Sequence, residues 1–450
     1  MTTRDAAPST RRPAVETGLR LGERLRQLRV GAGLTQSELA GDRFSKEYVS
    51  QIERGKTRPT RETIEWLAKR LGVDSGFLAN GLATDERGRL ESALARAEAL
   101  WEGDRDEEAL AEYEALIPAA RATGLPELEV RSLIGGAKAQ IRLGGNREAL
   151  PLLNDARAIS EGSGFSDVER AEVLYLIGVC RHQLNSIQTA IALFNEALAL
   201  AERSGLPSDK LRSNILSWRS RCWRRQRDYE AAREDIERAL ELAESADDAR
   251  TVGAAYFQAS LVAEREGHWV LARTYAEKAR AAYEELSDQV HVAQLTNNLG
   301  GLNFLLGKTD EAIDLLKQAF ALAIETGGHE GDAAQAVSSL AQVHLRTGNL
   351  EQAEEQARHT ISLLEGRDEY LDEMGNAQLV LGRSLLEQDR LDEAEDVFRA
   401  AETSFDAFGS ASHRAAVWVA RGDLAARRGD DRLAAHLFRS AAEALQDVRF

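Results

Sequence analysis

At 450 residues the chain is long enough for several domains or one extended array. A net charge of −17 would argue against a nucleic-acid partner only if it were evenly spread. It is not: residues 1–72 hold fifteen Lys/Arg against nine Asp/Glu, a balance of +6, which leaves −23 on the remainder. A small basic head on a large acidic body points to a polyanion partner for the head alone.

Two cysteines exclude a disulfide framework and fit a reducing compartment. The start, MTTRDAAPSTRRPAVETG, lacks the apolar core of a signal peptide. No apolar run reaches the ~18 residues of a membrane span, so the expectation is a cytoplasmic protein with no membrane partner. Seven prolines and abundant Ala, Leu, Glu and Arg predict an all-α fold.

In chain order, residues 1–18 read as a disordered basic tail. Residues 19–80 then divide into five short helices. LRLGERLRQLRVGAG has apolar residues at 21, 25 and 28 and stops at Gly31 and Gly33. TQSELA opens with Thr35 as N-cap and Glu38 three residues on, a capping box. Ser45 caps KEYVSQIER, which Gly55 ends; Pro59 and Thr60 introduce RETIEWLAKRLG, and VDSGFLANG supplies a last turn.

The stretch VSQIERGKTRPT contains a Gly-Lys-Thr, but the phosphate-cradling nucleotide loop needs a glycine five positions before Gly55, where Ser50 stands. Any phosphate met here must be held in another setting.

In their order, GLTQSELA, VSQIERGKTRP and TIEWLAKRLGV resemble the helix-turn-helix domain of lambda-repressor-like bacterial regulators, the XRE family, with GDRFSK about one residue shorter than the family's usual spacing. The resemblance implies that Thr35 and Gln36 hold DNA backbone, that Lys46, Glu47, Ser50 and Gln51 face base edges, and that Arg54, Lys56 and Arg58 lie along the next phosphates. The lysine of the Gly-Lys-Thr would then meet duplex phosphate. Independently, residues 46, 47, 50 and 51 share one side of a helix at ~100° per residue, while Tyr48, Val49 and Ile52 can turn inward. The plainer alternative is that Lys46, Glu47 and Gln51 form a solvated face. Arg29 and Glu53 are expected to form the internal ion pair this family uses, and the basic tail is either a polar extension or an arm into the minor groove.

Residues 85–450 repeat. Turn-like pieces recur before Ala109, Ala149, Ala190, Ala232, Ala272, Ala312, Ala353, Ala394 and Ala434, spaced by 40 to 42 residues. Twelve residues before each anchor is a small residue, from Ala97 to Gly422, and seven after is nearly always another, as at Ala156 and Ala401. Small residues there let helices approach closely. This pattern resembles the tetratricopeptide repeat in longer units, with the surplus between units, as in AERSGLPSDK and ETGGHEGD. It implies about nine helical hairpins in a right-handed superhelix with a concave wall.

In such stacks the first helix of each hairpin lines the concavity. In the fourth, SNILSWRSRCWRRQRD, residues Asn214, Ser217, Arg221, Arg224 and Arg225 fall within one arc of about 100°, opposite Ile215, Leu216, Trp218, Cys222 and Trp223. Matching positions elsewhere include Tyr175, His182, Gln294, Asn297, Phe304, Gln342, Asn376 and Arg383. Asn can pair with the backbone of an extended peptide and Arg can grip a carboxylate or phosphate. The alternative is that these arginines are solvated or matched by acids such as Asp228, Glu230 and Glu234.

Cys180 and Cys222 share a mostly apolar column, which reads as packing; no metal-ligand spacing, cofactor motif or nucleophile constellation appears, so neither metal, cofactor nor enzyme is expected. The layout resembles bacterial helix-turn-helix plus tetratricopeptide regulators that sense peptides, which implies a homodimer on double-stranded DNA with a peptide or small ligand in the concavity. The alternative is a DNA-anchored scaffold that docks a protein partner without switching. The final helix, with Leu433, Leu437, Phe438, Leu445 and Phe450, is a candidate self-association surface.

Overall fold

The computed structural model describes residues 21–80, 84–162, 164–326, 330–367, 370–408 and 411–446; the basic tail 1–18, Leu19 and Phe450 lie outside them. The described residues hold 23 α-helices, α1 to α23 in chain order, and no strand. The chain divides into two compact units, Met1–Ser208 and Asp209–Phe450. The division falls inside the inter-repeat insertion AERSGLPSDK.

The first unit opens with a bundle of α1 (Leu21–Gly31), α2 (Gln36–Ala40), α3 (Lys46–Glu53), α4 (Arg61–Leu71) and α5 (Ser75–Asn80). Side-chain caps start α2 to α5, the last through Asp74 Oδ1, which accepts from the Phe77 N–H at 2.9 Å. Thr35 Oγ1 accepts from the Glu38 N–H at 3.1 Å while Glu38 Oε2 accepts from the Thr35 N–H at 2.7 Å. Ser45 and Thr60 cap α3 and α4 in the same sense, each worth ~1 kcal/mol. Gly55, just past α3, has φ +67, a left-handed backbone that glycine adopts without steric cost.

Leu25, Leu39, Val49, Ile52, Leu67 and Leu78 form the core of this bundle. Gly22 sets the spacing between α1 and the end of α3: a Cβ there would stand 2.4 Å from the Ile52 carbonyl oxygen.

Three hairpins follow in this unit: α6 with α7 (Thr84–Glu102, Asp106–Thr123), α8 with α9 (Pro126–Arg142, Asn146–Ser160) and α10 with α11 (Asp167–Gln183, Ile187–Arg203). The second unit holds six. These are α12 with α13 (Asp209–Arg225, Tyr229–Ala246), α14 with α15 (Ala249–Arg265, Trp269–Glu285) and α16 with α17 (Gln289–Leu305, Thr309–Glu325). They continue with α18 and α19 (Glu330–Arg346, Leu350–Leu363), α20 and α21 (Leu371–Glu387, Leu391–Phe408), and α22 and α23 (Ala411–Arg427, Asp431–Gln446). Within each unit the first helix of a hairpin also packs on the first helix of a neighbouring hairpin, as α8 does on α10 and α18 on α20.

Two local rules explain the repeat. Each turn inside a hairpin carries one left-handed residue five positions before the anchor alanine: Asp104, Gly144, Asn185, Arg227, Gly267, Gly307, Gly348, Asp389 and Gly429. Gly, Asn and Asp tolerate that conformation best, and Arg227 is the exception. The second rule is a knob four residues after the anchor that fills the gap above the small residue of the partner helix. Cβ atoms added at Gly178, Gly382 and Gly422 would lie 2.6, 2.4 and 2.6 Å from the rings of Phe194, Phe398 and Phe438, and at Gly300 2.7 Å from Leu316. Where serine takes the small position, Ser220 Oγ donates to the carbonyl of the anchor Ala232 at 2.8 Å.

Cys180 and Cys222 are buried, as their apolar column predicts, and burial pushes both thiols up to about 12. On α23, Leu433, Phe438 and Leu445 are exposed but Leu437 is buried, so the candidate self-association face is narrower than the sequence alone suggests. No described helix is long and apolar enough to cross a membrane.

Candidate functional site

The first site lies on the N-terminal bundle. Helix α3 buries Val49 and Ile52, half-buries Tyr48 and Ser50, and exposes Lys46, Glu47 and Gln51. The exposed row is a consequence of the buried one, because the two sets alternate around the helix. Gln51 Oε1 accepts from Thr57 Oγ1 at 3.0 Å, which directs its amide NH2 to donate outward. Arg54, Lys56 and Arg58 follow as exposed cations in the turn after α3.

Glu53 fixes the attitude of α3. Its carboxylate accepts from Arg29 Nε at 2.5 Å, from Arg29 Nη2 at 3.2 Å and from the Gln36 amide at 2.7 Å, so α1, α2 and α3 meet at one group. The expected Arg29–Glu53 pair is present, with side chains only 12% and 4% exposed. The third member was not legible in the sequence: Gln36, read as a backbone-holding residue, has its amide committed to Glu53. Thr35 is exposed, and its hydroxyl accepts from the Glu38 N–H. Arg24 is a second brace missed in the sequence. It is buried and donates to the Leu78 and Ala79 carbonyl oxygens at 3.1 and 2.8 Å, tying α1 to the end of α5.

The second site lies wholly in the unit Asp209–Phe450. The first helices of its hairpins line two cavities. One, of about 390 Å³, is bounded by Glu264 and Arg265 of α14, Asn297 and Phe304 of α16, and Gln342 and Arg346 of α18. The other, of about 680 Å³, is bounded by Gln342, Asn376, Arg383, Glu387 and Asp423 among others. Asn297, Phe304, Gln342, Asn376 and Arg383, singled out by repeat register, therefore come together on cavity walls. Asn297 Oδ1 and Arg383 Nε are buried atoms with no hydrogen-bond partner among the described residues. Gln294 instead bridges to Asp332 of α18 through its amide at 3.1 Å.

The residues chosen on α12 fall outside both of these linings. Asn214 is half-buried, Ser217 is buried and Arg225 is exposed. Arg221 stacks over Trp218, with its guanidinium carbon 4.3 Å from the ring centroid. Arg224 is half-buried; burial, with repulsion from Arg221 and Arg265, holds its guanidinium down to about 10, against weaker support from Glu264 and Tyr229. Trp223 is half-buried and donates its indole N–H to Asp235 at 3.1 Å, beside a bidentate Arg219–Asp235 pair. Asp228, a suggested partner for these arginines, caps α13 by accepting from the Ala231 N–H. Tyr175 and His182 belong to the other unit, where Tyr175 packs its ring 6.3 Å from that of Phe194.

Comparison with known proteins adds the following. The helix-turn-helix domain family matches residues 20–78. Tetratricopeptide repeat families match residues 291–366, and 135–207, 357–407 and 379–448. The HTH-type transcriptional regulator DdrOP3 of Deinococcus deserti is 40% identical over 65 residues, 14% of this chain and 50% of that protein, so the chain spans about half the length of this relative. An uncharacterised HTH-type transcriptional regulator of Sinorhizobium fredii, y4dJ, is 44% identical over 54 residues, 12% of this chain and 70% of that protein. Among solved structures, the apo form of the quorum sensor NprR from B. thuringiensis is similar in fold, with a TM-score of 0.58 and 13% identity over 80% of this chain and 99% of that one.

Proposed function

Because the chain belongs to the helix-turn-helix transcriptional regulators and carries tetratricopeptide repeats behind that domain, we propose that it is a sequence-specific DNA-binding regulator whose repeats receive a peptide or small ligand. The observation that carries the reading is the exposed row Lys46, Glu47 and Gln51 on α3, braced from beneath by Glu53 and followed by three exposed cations. In this reading residues 19–80 are the DNA-binding domain and 85–450 the sensing domain. Helix α3 enters the major groove, with Lys46, Glu47, Ser50 and Gln51 at base edges. Arg54, Lys56 and Arg58 pair with phosphates, joined by Thr35 at the start of α2. A homodimer places two such helices on half-sites ~34 Å apart or a multiple of that.

The ligand reading rests on the cavities between the first helices of the second unit, whose walls mix amide and guanidinium groups with apolar faces. Similarity in fold to a protein called a quorum sensor is consistent with it. A ligand held there changes operator affinity only by as much as it prefers one arrangement of the chain over another.

The test is an anisotropy titration of the full chain against labelled duplex between about 50 and 200 mM salt, with a steep fall in affinity expected from phosphate contacts. Repeating it with the small molecules extracted from the purified chain tests sensing. Flat salt dependence removes the DNA reading; steep salt dependence with no ligand effect replaces the sensor with a docking platform.

A further inference from the structure

Two points fix the direction of α3. Glu53 clamps its C-terminal end to α1 and α2. Its N-terminal end emerges from the turn between Ala40 and Lys46 and is held by a chain of contacts that runs through α4. Arg70, in the last turn of α4, donates from Nε to the Glu38 carbonyl oxygen at 3.0 Å. That oxygen lies at the end of α2, where carbonyls lack helical partners and a cation is favoured. Gly41 admits the guanidinium: its φ is +54, and a Cβ there would stand 2.8 Å from Arg70 Nη1. One helical turn back along α4, the Trp66 ring has the Arg70 guanidinium carbon 5.3 Å from its centroid. Trp66 meets Phe44 edge-on, with centroids 5.1 Å apart and planes at 86°. Phe44 in turn lies 5.4 Å from Tyr48, in the first turn of α3. The three rings are half-buried, whereas Arg70 is exposed.

Resting on the DNA-binding reading, and deepening it, we propose that Arg70 is a positioning residue for base recognition. Acting through Gly41, Trp66 and Phe44, it sets the tilt of α3 about the Glu53 clamp and so the placement of Lys46 in the groove. Lys46 stands at the far end of α3 from Glu53, about 10 Å away at ~1.5 Å per residue, so a tilt of ~10° moves it by about 2 Å. Gln51, two residues from the clamp, moves by only about 0.5 Å. A hydrogen bond to a base edge survives the second shift and not the first. The base pair read by Lys46 therefore depends on Arg70, and the one read by Gln51 does not. A residue that merely supports the fold produces no such gradient.

Duplex selection with the full chain tests this in Arg70→Met, with Lys46→Ala and Gln51→Ala marking the two base-pair positions. Discrimination at the Lys46 position is expected to fall at least about fivefold, while the Gln51 position stays within about twofold of the parent. The slope of affinity against salt stays as in the parent, because Arg70 pairs with no phosphate. Trp66→Leu reproduces the pattern, and Trp66→Phe, which keeps a ring, retains most of the discrimination. Lys69→Met, which removes the neighbouring exposed cation, leaves both positions unchanged.

Equal loss at the two positions, or loss at neither, overturns the positioning role. A salt slope shallower by about one phosphate makes Arg70 a direct contact and overturns it as well. A parent chain that enriches no duplex removes the DNA-binding reading, and this proposal with it; a parent that selects a sequence keeps that reading whatever Arg70→Met does.

Discussion

Replacing Glu53 by alanine is the sharpest single perturbation of the DNA-binding bundle. The Glu53 side chain is 4% exposed and holds Arg29 at 2.5 and 3.2 Å and the Gln36 amide at 2.7 Å. Without it the Arg29 guanidinium, also nearly buried, keeps one described bond, from Nη1 to the Leu34 carbonyl oxygen at 2.8 Å. An uncompensated buried charge of this kind costs about 3–5 kcal/mol. In the opening equilibria of α1 and α3 that corresponds to roughly two to four powers of ten. Hydrogen exchange of the full chain reads it directly, with α16 and α17 as an internal reference that should not change. The companion variant Arg29→Met/Glu53→Leu should recover much of the protection, because the cost lies in the orphaned charge more than in the lost pair. Exchange in α3 within about threefold of the parent, or a double variant no better than the single, refutes this account of how the helix is held.

Four further outcomes are expected. Gly382→Ala sets a Cβ 2.4 Å from the Phe398 ring and should lower stability by about 1–3 kcal/mol in chemical denaturation; an unchanged midpoint would mean the knob is not packed as described. Arg227→Gly, relieving the φ of +64 at the one hairpin turn whose left-handed position is not Gly, Asn or Asp, should stabilise the second unit by about 1 kcal/mol. Cys180 and Cys222 should resist iodoacetamide at mildly alkaline pH until the chain unfolds, since burial raises both thiols to about 12. The Glu38 carboxyl is held below its usual range by the Thr35 N–H and hydroxyl. Its contribution is therefore present above the unfolded carboxylate range and lost as pH falls through the lowered folded value. Protection of the Thr35 amide should fade over that acid window in the parent and be absent throughout in Glu38→Ala.

Much of the architecture was legible because it is written in local chemistry. Caps at Thr35, Ser45 and Thr60 mark helix starts by hydroxyl alone, and the anchor alanines fix the repeat because larger residues would hold the helices apart. From that register the wall positions Asn297, Gln342, Asn376 and Arg383 followed, and the cavities lie there. What escaped depends on pairs distant in sequence. Nothing adjacent to Gln36 announces that its amide reaches Glu53, or that Arg24 spans to Leu78 and Ala79. The knob column from Phe194 to Phe438 was present in the repeat, but its meaning appears only when each ring is seen over a glycine of the partner helix. On α12, helical angle alone could not tell that Ser217 is buried or that Trp223 is half-buried and drawn to Asp235.

The most direct test of the account is duplex selection with the full chain from a randomised pool at low ionic strength, run in parallel with Lys46→Ala and Gln51→Ala. The account predicts one enriched sequence for the parent, and for each variant relaxed discrimination of about 1–3 kcal/mol at one base-pair position per half-site. No enriched sequence, or the same sequence with equal discrimination in both variants, would contradict it.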